Sequence, residues 1–230
     1  MQGLLLVDKP KTWTSFDVVN YVRRMVATVE GKKPRNCKVG HCGTLDPLAT
    51  GLLILLIGKD YTRRAGELTK LDKTYEVTMK LGQLSTTADD EGEKSDVSDL
   101  RPSLDQVEAA VQKFTGDIMQ TPPIFSAMKI NGQRAYKLAR AGKEVVLEAR
   151  PVTIYRSNIT SYSYPYVTFT SEVSSGTYVR SLVVDIGKEL GTGGYMSDLR
   201  RTQIGQHRLN MAVAVQNLDT DIVVKNLLTI

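Results

Sequence analysis

Cysteine, histidine and tryptophan are all scarce in this 230-residue chain, which holds two, two and one of them. Two cysteines, Cys37 and Cys42, exclude a disulfide-stapled scaffold. Zinc is disfavoured too. His41 lies between the cysteines, but a tetrahedral site needs a fourth ligand, the only other histidine is His207, and paired Cys-x-x-Cys spacing is missing. A metal is therefore not expected. Long apolar runs are absent as well, so no segment is long enough to span a membrane. The N-terminal Met1-Gln-Gly-Leu-Leu-Leu-Val-Asp8 has no basic start and too short an apolar stretch for a signal peptide. A cytoplasmic location is the expectation.

What is present is ordinary in amount and uneven in placement. Hydrophobic residues at 41% and charged residues at 24% suit a soluble globular protein long enough to bury a sizeable core. The net charge is +5. Residues 1–80 hold 14 Lys/Arg against 8 Asp/Glu, residues 81–110 hold 2 against 8, and residues 111–230 hold 14 against 9. Two basic blocks around an acidic insert suit a protein that turns one face to a polyanion. An ordinary basic protein would show the same totals.

Local patterns predict a mixture of strands and helices. Leu4–Val7 reads as a short buried strand, and Asp8–Ser15 as a turn ending in helix caps. Val18, Val19, Val22, Met25 and Val26 then form one apolar helical face. A basic loop, Glu30–Lys38, follows. Leu52–Ile57 is wholly apolar, as a strand covered on both sides should be. From Thr74 to Leu81 apolar and polar residues alternate, with Tyr75, Val77, Met79 and Leu81 on one face. Residues 82–101 read as an exposed acidic loop. Ser103 and Gln106 form a capping box for a helix with Leu104, Val107, Val111 and Phe114 inward, ended by Gly116. Tyr166–Val173 is another strand, and Gly176–Leu190 passes from strand to helix. The fold class is therefore α+β (mixed α/β), in a single domain without an internal repeat or dividing linker.

The fourteen residues from Lys38 to Gly51 carry the strongest chemical signal. Gly40, Gly43 and Gly51 let the main chain approach a substrate closely. Asp46-Pro47 reads as a helix start, with Asp46 as cap. Backbone N–H groups there would favour an ionised carboxylate, and an exposed one can act as a nucleophile. A capped turn with no chemistry fits the spacing equally.

This stretch resembles the signature loop of the TruB family of tRNA pseudouridine synthases, G-H-x-G-T-L-D-P-x-A-x-G, whose catalytic Asp corresponds to Asp46. The resemblance runs from about Leu4 to about Arg208. Asp8–Ser15 resembles D-K-P-x-G-x-[TS]-S, with Thr12 for the glycine. Lys73–Val77 matches K-x-Y-x-[VA], and Gly82–Gly92 matches G-x-x-T-x-T-x-D-x-x-G, with Ser85 for the first Thr. Thr121–Gly132 and Arg134–Arg140 resemble P-P-x-Y-S-A-x-K-x-x-G-x-x-x-Y-x-x-A-R, with Phe125 for Tyr. Gly176–Leu182 matches G-T-Y-[IV]-R-[ST]-[IL]. Leu199–Thr202 with Gly205 matches L-R-R-T-x-x-G, preceded by Gly194-Tyr195 where Ala-His is usual.

The resemblance implies the pseudouridine synthase fold, a curved mixed sheet with flanking helices and a central active-site cleft. It implies a cofactor-independent isomerisation of uridine 55 in the tRNA T-loop, by a monomer acting on the T-arm stem-loop. The base must leave the RNA stack, at a cost of a few kcal/mol. Asp46 is then catalytic, Arg180 pairs with it, and Tyr75 stacks on the flipped uracil, for which roughly 1–3 kcal/mol is typical. Three roles fit the carboxylate: attack on the sugar, attack on the ring, or assistance of elimination to a glycal. His41 fills the space left in the RNA loop, and Tyr178 and Leu199 contact the target nucleotide. Arg200 and Arg201 reach phosphate. Lys129, Arg134, Lys137 and Arg140 belong to an RNA-gripping insert at about 121–145.

Each residue has a plainer reading: a turn histidine, a core tyrosine, surface arginines, a solvated basic helix face. Residues beyond Arg208 are too few for the C-terminal RNA-binding (PUA-type) domain common in bacterial relatives, so the expectation is either a minimal form without it or a chain of which part is missing. Two rival functions remain, of which the first would use the same residues, while the second would keep the fold alone and is opposed by the intact Asp46, Tyr75 and Arg180. One is a guide-RNA-dependent synthase of the same superfamily, and the other is a non-catalytic tRNA-binding or folding protein.

Overall fold

The structure, a computed structural model, describes residues 1–126, 128–130, 132–135, 138 and 145–229. The chain divides into two units, Met1–Tyr75 with Leu199–Ile230 and Glu76–Asp198. It passes from one to the other inside the strands Lys73–Leu81 and Gly194–Ile204, so no linker composition marks the boundary.

In the first unit, Thr50–Ile57 is the central strand. It runs antiparallel to Gly3–Lys9 along one edge. Its other edge pairs antiparallel with Val39–Cys42 and, at its start, parallel with Gly194–Ile204 through Arg200 and Arg201. Successive side chains of a strand point to opposite faces, so an all-apolar run needs two cores. It has them. Leu53, Leu55 and Ile57 pack with Val18, Val19, Val22 and Val26 of the helix Ser15–Glu30. Leu52, Ile54 and Leu56 pack with Leu4, Leu6, Leu68 and Ile204. Each buried side chain of this kind contributes about 1.5–3 kcal/mol.

The helix Ser15–Glu30 begins where the sequence predicts. Thr14 and Asp17 close a reciprocal capping box, and Gly31, at φ 62°, ends the helix in the left-handed region. Thr12, standing where the family has glycine, also takes a left-handed φ of 72°. The turn survives the substitution because the Thr12 N–H is fixed on the Pro47 carbonyl at 2.9 Å.

In the second unit, Tyr166–Val173 lies between Lys73–Leu81 and Arg150–Ser163, with Gly116–Gln120 outside Arg150–Ser163. Val77, Met79 and Leu81 are buried and the strand residues between them are not, as the alternation predicts. The helix Leu104–Lys113 opens on the predicted Ser103/Gln106 capping box and packs on Arg150–Ser163 and on the helix Val179–Glu189. Leu104, expected inward, is 44% exposed, because Val107, Ala110 and Val111 define the buried face.

The acidic stretch also departs from expectation. Residues 83–96 form a hairpin, Gln83–Ser85 antiparallel to Lys94–Asp96, and Asp89 within it is buried. Polar bonds hold it: Ser85 Oγ donates to the Asp89 carbonyl, and the Glu91 N–H to Asp89 Oδ1 at 3.1 Å. Gly176–Tyr178 is a turn rather than a strand before the helix Val179–Glu189. The mixed α/β class stands. No described helix is long and apolar enough to cross a membrane.

Candidate functional site

Asp46, Tyr75, His41, Leu199 and Arg200 belong to the first unit, and Arg180, Tyr178 and Lys129 to the second.

Around Asp46 the chain bends directly into the strand Thr50–Ile57, and no helix starts at Pro47. The expected helix cap is replaced by a single turn, in which the Ala49 N–H donates to the Asp46 carbonyl at 3.1 Å. Asp46 is half-buried rather than exposed. The main chain on both sides of it is fixed from the Asp8–Ser15 motif. Ser15 Oγ accepts from the Leu45 N–H at 2.8 Å and donates to the Leu45 carbonyl at 3.0 Å. Lys9, fully buried, donates to the carbonyls of Trp13 at 2.6 Å, Pro10 at 3.0 Å and Pro47 at 3.3 Å. A buried ammonium is tolerable only when its protons find such acceptors.

Arg201 works from behind the loop. Its guanidinium donates to the Leu52 carbonyl at 2.7 Å and the Gly43 carbonyl at 2.9 Å. It is 1% exposed, so the expectation that Arg201 reaches phosphate fails. Gly51, at φ 100°, is obligatory: a Cβ there would lie 2.3 Å from the Arg201 carbonyl oxygen. Gly40 has no such demand, since its nearest neighbour would stand 3.7 Å away.

Arg200 is half-exposed. Its Nη2 pairs with Asp8 Oδ2 at 2.7 Å, and its Nη1 donates to Thr50 Oγ1 at 3.3 Å. The same Thr50 hydroxyl donates to the Leu199 carbonyl at 3.4 Å, and Leu199 itself is buried. The Thr50 hydroxyl thus adds a further link between the signature loop and the Leu199–Thr202 motif, beside that of Arg201 to Gly43. Tyr75 is 8% exposed on the buried face of its strand.

His41 sits on the strand Val39–Cys42. Burial, and then the Arg201 charge, hold its imidazole below the ordinary range, so the ring is neutral at pH 7. Among the described residues nothing bonds its buried Nδ1. Burial pushes the Cys42 thiol up to about 11 and, with Arg201, brings the Lys73 ammonium down to about 8. Lys73 donates to the carbonyls of Thr69 and Leu71. Both cysteines are buried and free, and no group of three His, Cys, Asp or Glu among the described residues could hold a metal ion.

In the second unit Arg180, 6% exposed, opens the helix Val179–Glu189. Its Nη2 donates to the Phe125 carbonyl at 2.8 Å, its Nη1 to the Thr87 carbonyl at 3.2 Å, and Nη1 lies 3.5 Å from Asp89 Oδ2. A surface arginine is excluded. Because Phe125 contributes its main chain, replacement of the usual tyrosine leaves this contact untouched. Asp89 in turn accepts from Thr87 Oγ1 and from the Glu91 N–H. The Tyr178 ring lies 5.1 Å from the Arg150 guanidinium. Lys129–Ile130 pairs with Gln133–Arg134 in a short hairpin, while Lys137 and Arg140 lie outside the described residues.

Sequence reasoning missed Lys9, Ser15, Asp89, Gln120 and Arg150 as individual participants. A lysine, aspartate or arginine read in isolation is assigned to the surface. The signal that existed was position: Lys9 and Ser15 fall inside one recurring motif, and Asp89 inside another.

The chain aligns with a chain of the crystal structure of a Cbf5–Nop10–Gar1 complex at a TM-score of 0.69 and 29% identity, over 95% of this chain and 54% of that one. It aligns with a chain of the structure of an H/ACA RNP bound to a substrate RNA containing 2′-deoxyuridine at 0.66 and 26%, over 95% and 52%. It therefore spans about half the length of these solved chains. Residues 29–179 match the N-terminal domain of the TruB family pseudouridylate synthases, and residues 180–227 match the tRNA pseudouridylate synthase B C-terminal domain. The class is that of the pseudouridylate synthases.

Two relatives narrow it further, both named tRNA pseudouridine synthase B. The one from Clostridium novyi (strain NT) is 46% identical over 96% of this chain and 73% of its own length. The one from Chlorobaculum tepidum is 46% identical over 92% and 87%. The chain belongs to the TruB family.

Proposed function

We propose that this protein isomerises uridine 55 in the T-loop of tRNA to pseudouridine. The N1–C1′ bond of the nucleoside breaks, the uracil turns, and a C5–C1′ bond forms. The C5 proton is lost and N1 gains one, so no cofactor or redox partner is consumed. Asp46 acts on the target nucleoside, with Arg180 as the cation of the reaction and Asp89 as the anion that orients Arg180. Tyr75 offers a ring for stacking, and Tyr178 and Leu199 contact the target nucleotide. The neutral His41 suits insertion among stacked bases, where an imidazolium would be poorly solvated. Arg200, Lys129 and the remaining basic residues of the 121–145 insert hold phosphate on the T-arm.

The observation that carries this reading is an intact Gly43-Thr-Leu-Asp-Pro47 whose main chain is fixed on both sides of the carboxylate, by Ser15 at Leu45 and by Lys9 at Pro47. Such anchoring is what a reaction limited by orientation requires. The test is incubation of the pure protein with an unmodified tRNA transcript and no other RNA or protein, followed by mapping of pseudouridine. Product at the T-loop uridine alone supports the reading. Product that appears only with a guide RNA and partner proteins, or tRNA binding with no product, overturns it.

A further inference from the structure

Gln120 ends the strand Gly116–Gln120 and is 1% exposed. Its side-chain amide meets the main chain of Tyr178, 58 residues away, in both directions. Oε1 accepts from the Tyr178 N–H at 2.8 Å, and Nε2 donates to the Tyr178 carbonyl at 3.1 Å. The orientation of the amide is dictated by the groups it meets, since an N–H needs an acceptor and a carbonyl a donor. Tyr178 is the cap residue before the helix Val179–Glu189, extended at φ −100° and ψ 110°, and no side chain caps that helix from within its own sequence. Two further bonds run from the helix start to the residues after Gln120. Ser181 Oγ donates to the Thr121 carbonyl at 2.8 Å, and Arg180 Nη2 to the Phe125 carbonyl at 2.8 Å. Gln120 grips the Tyr178 backbone, while Arg150 faces its ring.

We propose that Gln120 is a positioning residue for the isomerisation: by holding both main-chain groups of Tyr178 it fixes the direction of the Tyr178 ring and of Arg180, two residues on. The assignment rests on the reading of this chain as a uridine isomerase. It concerns orientation, so turnover rather than affinity for tRNA depends on it. A glutamine that served only the stability of the fold would leave the rate of the folded protein unchanged.

Gln120→Met fills similar space and removes both bonds. The expected result is a kcat lower by roughly 10- to 100-fold with KM within about twofold, measured well below the unfolding temperature of the variant. Gln120→Glu guards against a variant that simply fails to fold. As a carboxylate it accepts from the Tyr178 N–H but sets a negative oxygen against the Tyr178 carbonyl. As a neutral acid it carries one donor and one acceptor, like the amide, and burial favours that form. Its rate relative to wild type should therefore climb as the pH falls from about 8 to about 5.5. Wild-type kcat in Gln120→Met, or a Gln120→Glu to wild-type ratio that does not change with pH, overturns the assignment alone. A wild-type protein that makes no pseudouridine from tRNA overturns the functional reading, and this assignment with it.

Discussion

The loop that carries Asp46 and the helix that carries Arg180 are fixed by different means. On the first, buried polar side chains reach main-chain groups beside the carboxylate: Ser15 at Leu45, Lys9 at Pro47, Arg201 at Gly43. On the second, the guanidinium itself is caged by Asp89 and two carbonyls, and Gln120 secures the residue that precedes the helix. An aspartate carries its carboxylate on a one-carbon stem with two torsions, so fixing its backbone leaves the group little reach. An arginine has a long flexible stem, and its head must be held directly or its rotamer entropy is retained.

The largest effect should come from Asp46→Asn. The amide keeps the shape and removes the charge, so turnover should fall by roughly 10³-fold or more while tRNA affinity changes little. Single-turnover pseudouridine formation and filter binding measure the two quantities. Appreciable turnover by the pure variant would remove Asp46 from its catalytic role.

Next is the cage around Arg180. Arg180→Met leaves the buried Asp89 carboxylate without its cation, a loss of roughly 3–5 kcal/mol by analogy with broken buried pairs. Arg180→Met combined with Asp89→Asn should restore part of that stability and none of the activity. Urea unfolding of the two single variants and the double variant gives the coupling. Additive stability losses would show that the pair at 3.5 Å is not an interacting one.

Much of the fold was legible because its signals are local. The apolar run Leu52–Ile57, the alternation through Tyr75, Val77, Met79 and Leu81, the caps that end at Ser15 and the Ser103/Gln106 capping box depend on neighbours a few residues apart. The anchoring of the site was not legible. Lys9 finds Pro47 across 38 residues and Arg201 finds Gly43 across 158, and nothing in the intervening sequence announces either contact. Charge was a misleading guide where it was buried. The acidic run 82–101 read as a solvated loop, yet it folds as a hairpin around Asp89, whose partner Arg180 lies far along the chain. The helix expected at Asp46-Pro47 failed for a related reason. Strand pairing of Thr50 and Gly51 with Arg200 and Arg201 claims the backbone that a helix would have used.

A smaller effect tests the main-chain side of the contrast. Ser15→Ala removes one hydroxyl that both accepts from and donates to Leu45. Two buried polar groups lose their partner, which should cost about 1–3 kcal/mol of stability. Because the loop beside Asp46 loosens, turnover should also drop, by roughly tenfold, with KM nearly unchanged. Thermal unfolding and steady-state rates on the same preparation check both. A destabilised variant with full activity would mean that the loop does not need this anchor in order to place its carboxylate.

The smallest effect concerns Lys73. Burial, and then the charge of Arg201, lower its ammonium from 10.5 to about 8, while the unfolded chain keeps the ordinary value. Below pH 8 both states carry the proton, and the folded state bears the desolvation cost of a buried charge. Between pH 8 and 10.5 the folded state has released a proton that the unfolded state still holds, so this lysine makes stability rise with pH. The rise should amount to about 1 kcal/mol between pH 8 and 9. The thiol of Cys42, pushed up to about 11 from 9.0, acts oppositely at higher pH, because there the unfolded chain loses its proton first. Comparison with Lys73→Met separates the two, since Cys42 titrates in both proteins. Urea unfolding of wild type and variant at matched ionic strength should give a stability difference that shifts towards wild type as the pH rises. A pH-independent difference would mean that Lys73 loses no proton in the folded state over this range, and that its carbonyl partners at Thr69 and Leu71 compensate its burial in full.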